Sequence, residues 1–317
     1  MNKFFILFRL AVGGTLLLSG CKPRLQSDRS FAGDGKVYRL RMNPSPGSIY
    51  QYEMTNGSNV KMTVNEKAVE SIKKADVTLT YAVNEDSAGH FVISITYDKI
   101  HTQTKTGDQE TDLNSETTDD TGDPMQKMLQ KLKNATIVAT LDTDGSVKTV
   151  TGYSDVASQI LGSTEAISLP DKQRLQQQWR SMVEQAMIKK NMDQLLRFFP
   201  DSAVHVGDRW KTEARDSAEF PFLVKSTYQL QSIKNGIANI ECRGDITSDS
   251  SRSGVPGMAN AAELKGQQRG SYSVDIKTGM LTECKVTVDI EGTMQVMGRD
   301  IPITISTEVE IAGTQIK

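Results

Sequence analysis

The sequence predicts a mainly β (α+β) fold, with an antiparallel curved sheet or sheets built from two similar β-rich repeats and an amphipathic helical segment between them. Two patterns support this prediction. Apolar and polar residues alternate with a period of two through much of residues 37–160 and 201–317, as expected for strands with one buried face. Within residues 161–200, apolar residues recur at helical spacing instead.

The chain begins with a segment typical of bacterial export. A basic start is followed by an apolar run over residues 10–18, which is too short to span a bilayer. The run ends in Leu18-Ser19-Gly20-Cys21, which resembles the lipobox of bacterial lipoproteins. This resemblance implies that residues 1–20 are a signal peptide and that the thiol of Cys21 is lipidated. The alternative is an ordinary signal peptide with a chance cysteine.

A lipidated Cys21 would anchor the protein stably without a transmembrane helix. Lys22 follows the cysteine, and in lipoproteins that are sorted by this position a non-acidic residue indicates the outer membrane. We therefore predict a lipid-anchored protein of the cell envelope, at the outer membrane and facing the periplasm. Residues 21–36 comprise the lipidated Cys and a polar, flexible linker.

The charge of the chain argues against nucleic acid as a partner. The full sequence has a formal net charge of −2, from 37 basic and 39 acidic residues. Without Lys3 and Arg9 of the predicted signal, 35 basic residues remain against 39 acidic ones. Binding to phosphate requires a clustered positive field, which a mildly acidic surface does not provide.

The first β-rich repeat covers residues 37–160. Its predicted strands are residues 37–42, 49–54, 77–83, 91–100, 135–141 and 147–150. Residues 102–123 are rich in Thr, Asp and Glu without an apolar period, and we predict a solvated loop there. Pro124 begins a short amphipathic helix.

The central segment, residues 161–200, predicts two helices. Ser168 and Asp171 form a typical helix start, and an apolar stripe follows. Pro200 ends the second helix. The candidate ligand-binding residues of this segment are its large apolar side chains, namely Trp179, Met182, Met187, Met192 and Leu196.

The second β-rich repeat, residues 201–317, echoes the first. Residues 206–213 repeat the Gly, aromatic and Glu order of residues 46–53, and residues 226–230 repeat the pattern of residues 79–83. Their shared order indicates an internal duplication. Residues 294–311 alternate again and predict one long hairpin or an edge pair.

Three features together resemble an uncharacterised family of bacterial lipoproteins of Bacteroidetes type. They are the lipobox, the hairpin over residues 135–150 after a short Met/Leu helix, and Phe199-Pro200 followed by Val206-Gly207-Asp208-Arg209-Trp210. The resemblance implies an architecture and a location. It implies no activity and transfers no functional residue.

Cys242 and Cys284 remain if Cys21 is lipidated. Both lie on the apolar side of predicted strands, and a simple meander places them on alternate strands, about 10 Å apart. A disulfide does not reach that far, so two buried thiols are favoured over a bridge.

No stretch of the sequence predicts a reaction. His90, His101 and His205 have no metal-ligand partner at close spacing. A nucleophile elbow, a phosphate-binding loop and a nucleotide fingerprint are absent from the sequence. Asp142-Thr143-Asp144-Gly145 lacks the closing Glu of a calcium loop and predicts a hairpin turn. We therefore predict no catalytic residue, no metal and no cofactor.

The function predicted from sequence is a non-catalytic binding or scaffolding module, anchored in the envelope through its N-terminal lipid and docking an envelope protein partner. The alternative is a periplasmic carrier of a lipid or other apolar ligand in a groove between sheet and helices. The apolar stripe of the helices would equally serve as ordinary core. An envelope hydrolase is a further alternative that no motif supports.

Overall fold

A computed structural model of the chain describes residues 21–25, 35–64, 66–85, 90–118, 123–152, 198–216, 222–248, 260–296 and 299–317. The predicted signal peptide, residues 1–20, lies outside the described residues. So does the predicted helical segment except for residues 198–200. The candidate residues that lie outside the described parts are Trp179, Met182, Met187, Met192 and Leu196.

The described parts of the chain form thirteen β-strands and one α-helix. The strands are β1 (Cys21–Leu25), β2 (Ile49–Val64), β3 (Lys67–Glu85), β4 (Phe91–Thr106), β5 (Gln109–Asn114), β6 (Thr136–Leu141), β7 (Val147–Thr151), β8 (Arg209–Asp216), β9 (Phe222–Lys234), β10 (Ile237–Ser248), β11 (Asn260–Asp275), β12 (Leu281–Val296) and β13 (Arg299–Gln315), and the helix is α1 (Pro124–Leu132). The mainly β prediction is confirmed, as are the hairpin β6–β7 and the helix that begins at Pro124. No described helix is long and apolar enough to cross a membrane.

Twelve strands lie side by side in one open antiparallel sheet, in the order β1-β8-β9-β10-β11-β12-β13-β2-β3-β4-β6-β7, and β5 pairs with β4. The last strand, β13, lies in the middle of this sheet, because it pairs with β2 from Ile303 opposite Met62 to Gln315 opposite Tyr50. The long hairpin predicted near the C-terminus is confirmed as β12–β13. The alternative edge position is wrong, because β13 has a paired strand on each side. The internal duplication stays a prediction.

One face of the sheet is buried and the other is exposed. In β13 the buried residues Ile301, Ile303, Val309 and Ile311 alternate with exposed ones, and β9 and β10 show the same period. This pattern is typical of an antiparallel sheet with a core on one side and water on the other. Because a sheet of twelve twisted strands curls, we call the buried side its inner face.

Helix α1 packs its apolar side into the core at one end of the sheet. Met128, Leu129 and Leu132 are buried. Gln126 fixes the helix to β5, since its Nε2 donates to the carbonyl oxygen of Asn114 at 2.6 Å and its Oε1 accepts from the Asn114 N–H at 3.1 Å. The helix therefore has a defined position on the end of the inner face.

The Thr-rich stretch is not one solvated loop, and the prediction is wrong for residues 102–114. β4 continues to Thr106 and β5 pairs with it, with Thr102 opposite Leu113 and Thr106 opposite Gln109. The β-branched threonines favour strands, and their pairing does not need an apolar period on either face.

Residues 35–43 cross one end of the sheet without forming the strand predicted at residues 37–42. That prediction is wrong. Tyr38 makes a single bridge to Val204, and the N–H groups of Met42 and Asn43 donate to carbonyl oxygens in turns rather than to a strand. The Asn43 N–H donates to the carbonyl oxygen of Thr278 at 2.7 Å. Gly279 allows this close approach, because its φ is +69° and a Cβ there would collide with the carbonyl oxygen of Arg41.

Strand β1 lies at the other edge of the sheet. It pairs with β8, with Cys21 opposite Glu213 and Leu25 opposite Trp210. The sequence assigns these residues to the start of the linker. In the structure, residues 21–25 of the predicted linker are therefore paired with the sheet.

Candidate functional site

The histidines do not form a catalytic or metal-binding cluster. Each lies in its own ion pair with one aspartate: His90 Nδ1 with Asp142 Oδ1 at 2.7 Å, His101 Nε2 with Asp112 Oδ1 at 2.7 Å, and His205 Nδ1 with Asp208 Oδ2 at 3.3 Å. Among the described residues, no three His, Cys, Asp or Glu side chains are placed to hold a metal ion. Asp142 to Gly145 form the predicted hairpin turn, which is confirmed by the hydrogen bond from the Gly145 N–H to the Asp142 carbonyl oxygen at 3.0 Å.

The two cysteines are buried free thiols, as the sequence favours. Cys242 lies on β10 and Cys284 on β12, with β11 between them. Burial raises the pKa of each thiol to about 12. Because the thiolate is the reactive form, neither cysteine is suited to nucleophilic or redox chemistry at neutral pH.

A group of aromatic side chains closes the inner face over β8 to β11. The indole Nε1 of Trp210 donates to the carbonyl oxygen of Phe198 at 2.7 Å. The ring of Phe198 stacks on Tyr272 with centroids 4.8 Å apart, and Trp210 stacks on Tyr228 with centroids 5.8 Å apart. All four side chains are buried. This half of the inner face is therefore filled by the protein itself.

A row of polar residues runs across the inner face, perpendicular to the strands. Each member is the direct cross-strand partner of the next. From β8 to β5 the row is Thr212, Ser226, Gly244, Gln268, Val288, Thr307, Ser58, Lys73, Thr104 and Thr111. All but the glycine and the valine carry polar side chains. We call these ten residues the polar row.

The polar row changes from buried to accessible along its length. Its members on β8, β9, β11 and β13 are at most 7 % exposed, whereas Ser58, Lys73 and Thr104 are half-buried and Thr111 is exposed. The inner face is thus closed on the side of β8 to β13 and opens towards β2, β3 and β4.

Gln268 shows that the closed part of the polar row is not optimised for stability. The side chain is 2 % exposed, and its Oε1 has no hydrogen-bond partner among the described residues. Its Nε2 lies 3.8 Å from the Sγ of Cys242. An unsatisfied buried acceptor costs about 1–3 kcal/mol, so a core selected for stability alone would carry an apolar residue here.

Nine residues form a half-buried patch on the inner face of β2, β3 and β4, which we call the open section. They are Met54, Asn56, Ser58, Lys73, Ala75, Val77, Thr102, Thr104 and Thr106. Buried residues bound the patch along the strands, with Tyr52 and Leu79 on one side and Val60 and Met62 on the other. The open section is therefore a half-buried patch that lies between buried residues of the inner face.

Lys73 gives the open section its charge. Away from the strand ends, it is the only charged residue that the register of β2 to β13 places on the inner face. Its sequence neighbour Lys74 points to the outer face, where Nζ lies 3.0 Å from Oδ2 of Asp76. Adjacent residues of a strand face opposite sides, so Lys73 lies on the inner face and Lys74 on the outer face.

The site predicted from the sequence and the site in the structure do not overlap. The candidate residues on the central segment lie outside the described residues. The open section was not identified from the sequence, because the strand prediction for β3 starts at Val77 and omits its first ten residues. Two consecutive lysines before an alternating stretch are the signal that points to Lys73, since one of them has to face inwards if the strand extends that far.

Residues 88–281 match a family of unknown function, DUF6263. The chain belongs to the DUF6263 family. The match covers β4 to β11. Membership in an uncharacterised family is thereby confirmed, whereas a Bacteroidetes-type lipoprotein family stays a prediction. No curated protein matches the sequence of this family member significantly.

Solved structures resemble the chain only distantly. A structure of lipid–protein interactions in lipovitellin matches with 8 % identity and a TM-score of 0.49, over 85 % of this chain and 25 % of that one. The chain thus spans a quarter of the lipovitellin chain. The translocator domain of autotransporter NalP from Neisseria meningitidis matches with 5 % identity and a TM-score of 0.22, over 84 % of this chain and 89 % of that one. OccK7 (OpdD) from Pseudomonas aeruginosa has 7 % identity and a TM-score of 0.22, over 85 % and 99 %.

The buried thiols predict a simple chemical result for the soluble body, residues 22–317. Cys242 and Cys284 should not react with Ellman's reagent at pH 8, because burial keeps them protonated and inaccessible. After unfolding in guanidinium chloride, both should react. Release of thionitrobenzoate by the native protein, or none by the unfolded protein, would contradict two buried free thiols.

Proposed function

We propose that the chain is a lipid-anchored protein of the cell envelope that holds an amphiphilic ligand on the inner face of its sheet. The observation that carries the proposal is the open section, where apolar and polar side chains share one half-buried patch. Met54 and Val77 are opposite each other on β2 and β3, two inner-face positions along the strands from Ser58 and Lys73 of the polar row. Ligand sites in proteins combine an apolar lining with a few placed polar groups in this way.

The chemistry of the lining favours an amphiphile over a polar or a purely apolar ligand. Along β3, Val69 and Val77 lie on either side of Ser71, Lys73 and Ala75. A polar ligand would leave the apolar ends of the patch in contact with water. A hydrocarbon would remove water from the hydroxyls of Ser58 and Thr104 without replacing their hydrogen bonds, which is costly. A ligand with a polar head and an apolar tail satisfies both parts.

The free energy gained by burying CH₂ groups sets the minimum length of the ligand's apolar tail. Each buried CH₂ contributes about 0.8 kcal/mol. A micromolar complex corresponds to about 8 kcal/mol, so about ten or more buried CH₂ groups are needed before the costs of association are included. Acyl chains of this length are components of membrane lipids and of lipidated proteins.

The predicted anchor is compatible with a ligand that comes from the membrane. Cys21 begins β1, which is paired with β8 at the edge of the sheet. A lipid on this residue would hold that edge close to the membrane surface rather than at the end of a long tether. We propose the outer membrane, with the body facing the periplasm, as its location.

Filling the open section should remove the ligand. Ala75 lies on the inner face between Asn56 and Thr102, and an A75W substitution places an indole on the open section. We expect native mass spectrometry of the soluble body, purified from the periplasm of a bacterial host, to show a discrete mass excess that organic extraction removes. In A75W the ligand-bound fraction should fall, because a loss of ~1.4 kcal/mol in binding weakens the affinity about tenfold.

The matched control is A68W on the same strand. Ala68 is exposed and faces the outer side of the sheet, so this substitution should leave the bound fraction unchanged. Circular dichroism verifies that both variants fold. A wild-type body without any bound mass after periplasmic expression would refute the ligand-binding proposal and favour the scaffolding hypothesis.

The anchor is tested separately on the full chain. A C21S substitution should abolish incorporation of an alkyne-labelled fatty acid, because the thiol that accepts the acyl group is lost. A K22Q substitution, adjacent to the site, should retain the label. Labelling of C21S at the wild-type level would overturn lipidation at Cys21.

A further inference from the structure

Building on the proposed function, we infer that one end of the sheet faces the bilayer, and that the amphiphile passes between the membrane and the open section through this end. The partner of this end is a phospholipid surface. Three features carry the inference: the closure of the other end, the strand end that the open section reaches, and the position of Cys21 along the edge of the sheet.

Residues 35–43, which we call the strap, close one end of the sheet. The Met42 N–H donates to the carbonyl oxygen of Thr143 at 2.8 Å, and the next N–H, that of Asn43, donates to Thr278 at 2.7 Å. Six strands lie between the β6–β7 and β11–β12 turns that supply these oxygens, which is about 30 Å in a flat sheet. Neighbouring residues are only about 3.8 Å apart, so the sheet curls at the strap end until the two turns nearly meet.

The opposite end of the sheet carries the β2–β3 and β4–β5 turns, and we call it the entry end. The open section reaches it on β4, where Thr102, Thr104 and Thr106 are half-buried and Thr106 is the last residue of the strand. Towards the strap, the inner-face residues Ile95 and Ile100 of the same strand are buried. The open section is therefore continuous with the entry end and separated from the strap end by core.

Cys21 lies closer to the entry end than to the strap end. It is opposite Glu213 on β8, and the partner of Glu213 on β9 is Lys225. From Lys225, β9 continues for three residues to Phe222 at the entry end and for nine residues to Lys234 at the strap end. At about 3.3 Å per residue, these distances are about 10 Å and about 30 Å. Acyl chains on Cys21 would hold this residue at the bilayer surface, which favours the entry end as the one that faces the membrane.

An entrance against the membrane lowers the cost of moving an amphiphile. The free energy of exposing an acyl tail to water rises with each CH₂ group. The path from Thr106 at the end of β4 to Thr102, within the open section, is about 13 Å long. A tail that follows this path leaves the bilayer only briefly before it contacts the open section.

The orientation is tested with two matched cysteine variants of the full, lipidated chain. Lys67 is exposed at the entry end, where β3 begins, and Lys277 is exposed at the strap end, in the β11–β12 turn. K67C and K277C each lose one lysine and gain one reactive thiol, because Cys242 and Cys284 are buried. Each variant is labelled with an NBD maleimide and reconstituted into vesicles of phosphatidylethanolamine and phosphatidylglycerol that carry a nitroxide on the head group.

We expect the nitroxide to remove most of the NBD fluorescence of K67C and to leave that of K277C unchanged. The reason is that β3 has 19 residues and is about 60 Å long, so only one of its ends can lie among the head groups. Stronger quenching of K277C would show that the strap end faces the membrane. Equal quenching of both would show that the edge of the sheet lies flat, and quenching of neither that the body is held away. Each of these three results overturns the inference.

The route is tested by narrowing the entry end. Gln109 begins β5, is exposed and is opposite Thr106, whereas its neighbour Glu110 faces the outer side. The soluble body is mixed with 11-(dansylamino)undecanoate, and the dansyl fluorescence is followed in a stopped-flow instrument. Q109W should lower the association and dissociation rate constants several-fold and leave their ratio unchanged. E110W should leave both rate constants unchanged. Wild-type rate constants in folded Q109W would overturn the entrance.

These outcomes are distinct from a failure of the proposed function. A wild-type body that does not bind the dansyl probe refutes ligand binding, and the entrance with it. A body that binds the probe, in a chain whose K67C label is not quenched, refutes the membrane-facing end and leaves ligand binding standing. Circular dichroism verifies that all four variants fold.

Discussion

The pairing of β13 with β2 is the interaction on which the rest of the structure depends. It joins strands β2 to β7 to the strands that follow the central segment and makes them one sheet. Its register also aligns Thr307 with Ser58, which connects the two parts of the polar row. A shift by one residue would turn every inner side chain of β2 outwards, so the alternating burial of β13 and β2 specifies the register and the site together.

The two parts of the inner face differ in how they are filled. Over β8 to β11 the chain covers its own sheet, with Phe198 held by the Trp210 indole and stacked on Tyr272. Over β2 to β4 the described residues form a half-buried patch of mixed polar and apolar side chains. The same row of hydroxyl and amide groups passes through both parts, buried in the first and accessible in the second. A protein that only had to be stable would bury this row completely or replace it by apolar residues.

Much of the architecture follows from local patterns in the sequence. Period-two alternation predicts most strand cores, and the position of Cys242 and Cys284 on alternate strands with free thiols is confirmed. Long-range pairing does not follow from local patterns. Nothing in residues 294–311 indicates that β13 pairs with β2, so the sequence does not distinguish this central strand from an edge strand. The site shares this difficulty, because Lys73 and Ser58 are polar residues in the middle of strands and interrupt the pattern by which strands are predicted.

The central claim is that the polar row is accessible at β2 and closed at β13, and the most direct test is thiol accessibility at two neighbouring positions of that row. Cysteine is introduced separately at Ser58 and at Thr307, which are cross-strand partners, in the soluble body, whose own two thiols are buried. The structure predicts that the S58C variant reacts with a small maleimide in the native state, that bound ligand slows this reaction, and that the T307C variant reacts only after unfolding. Equal reactivity at both positions, or protection of S58C without any ligand, would contradict an open section on the inner face.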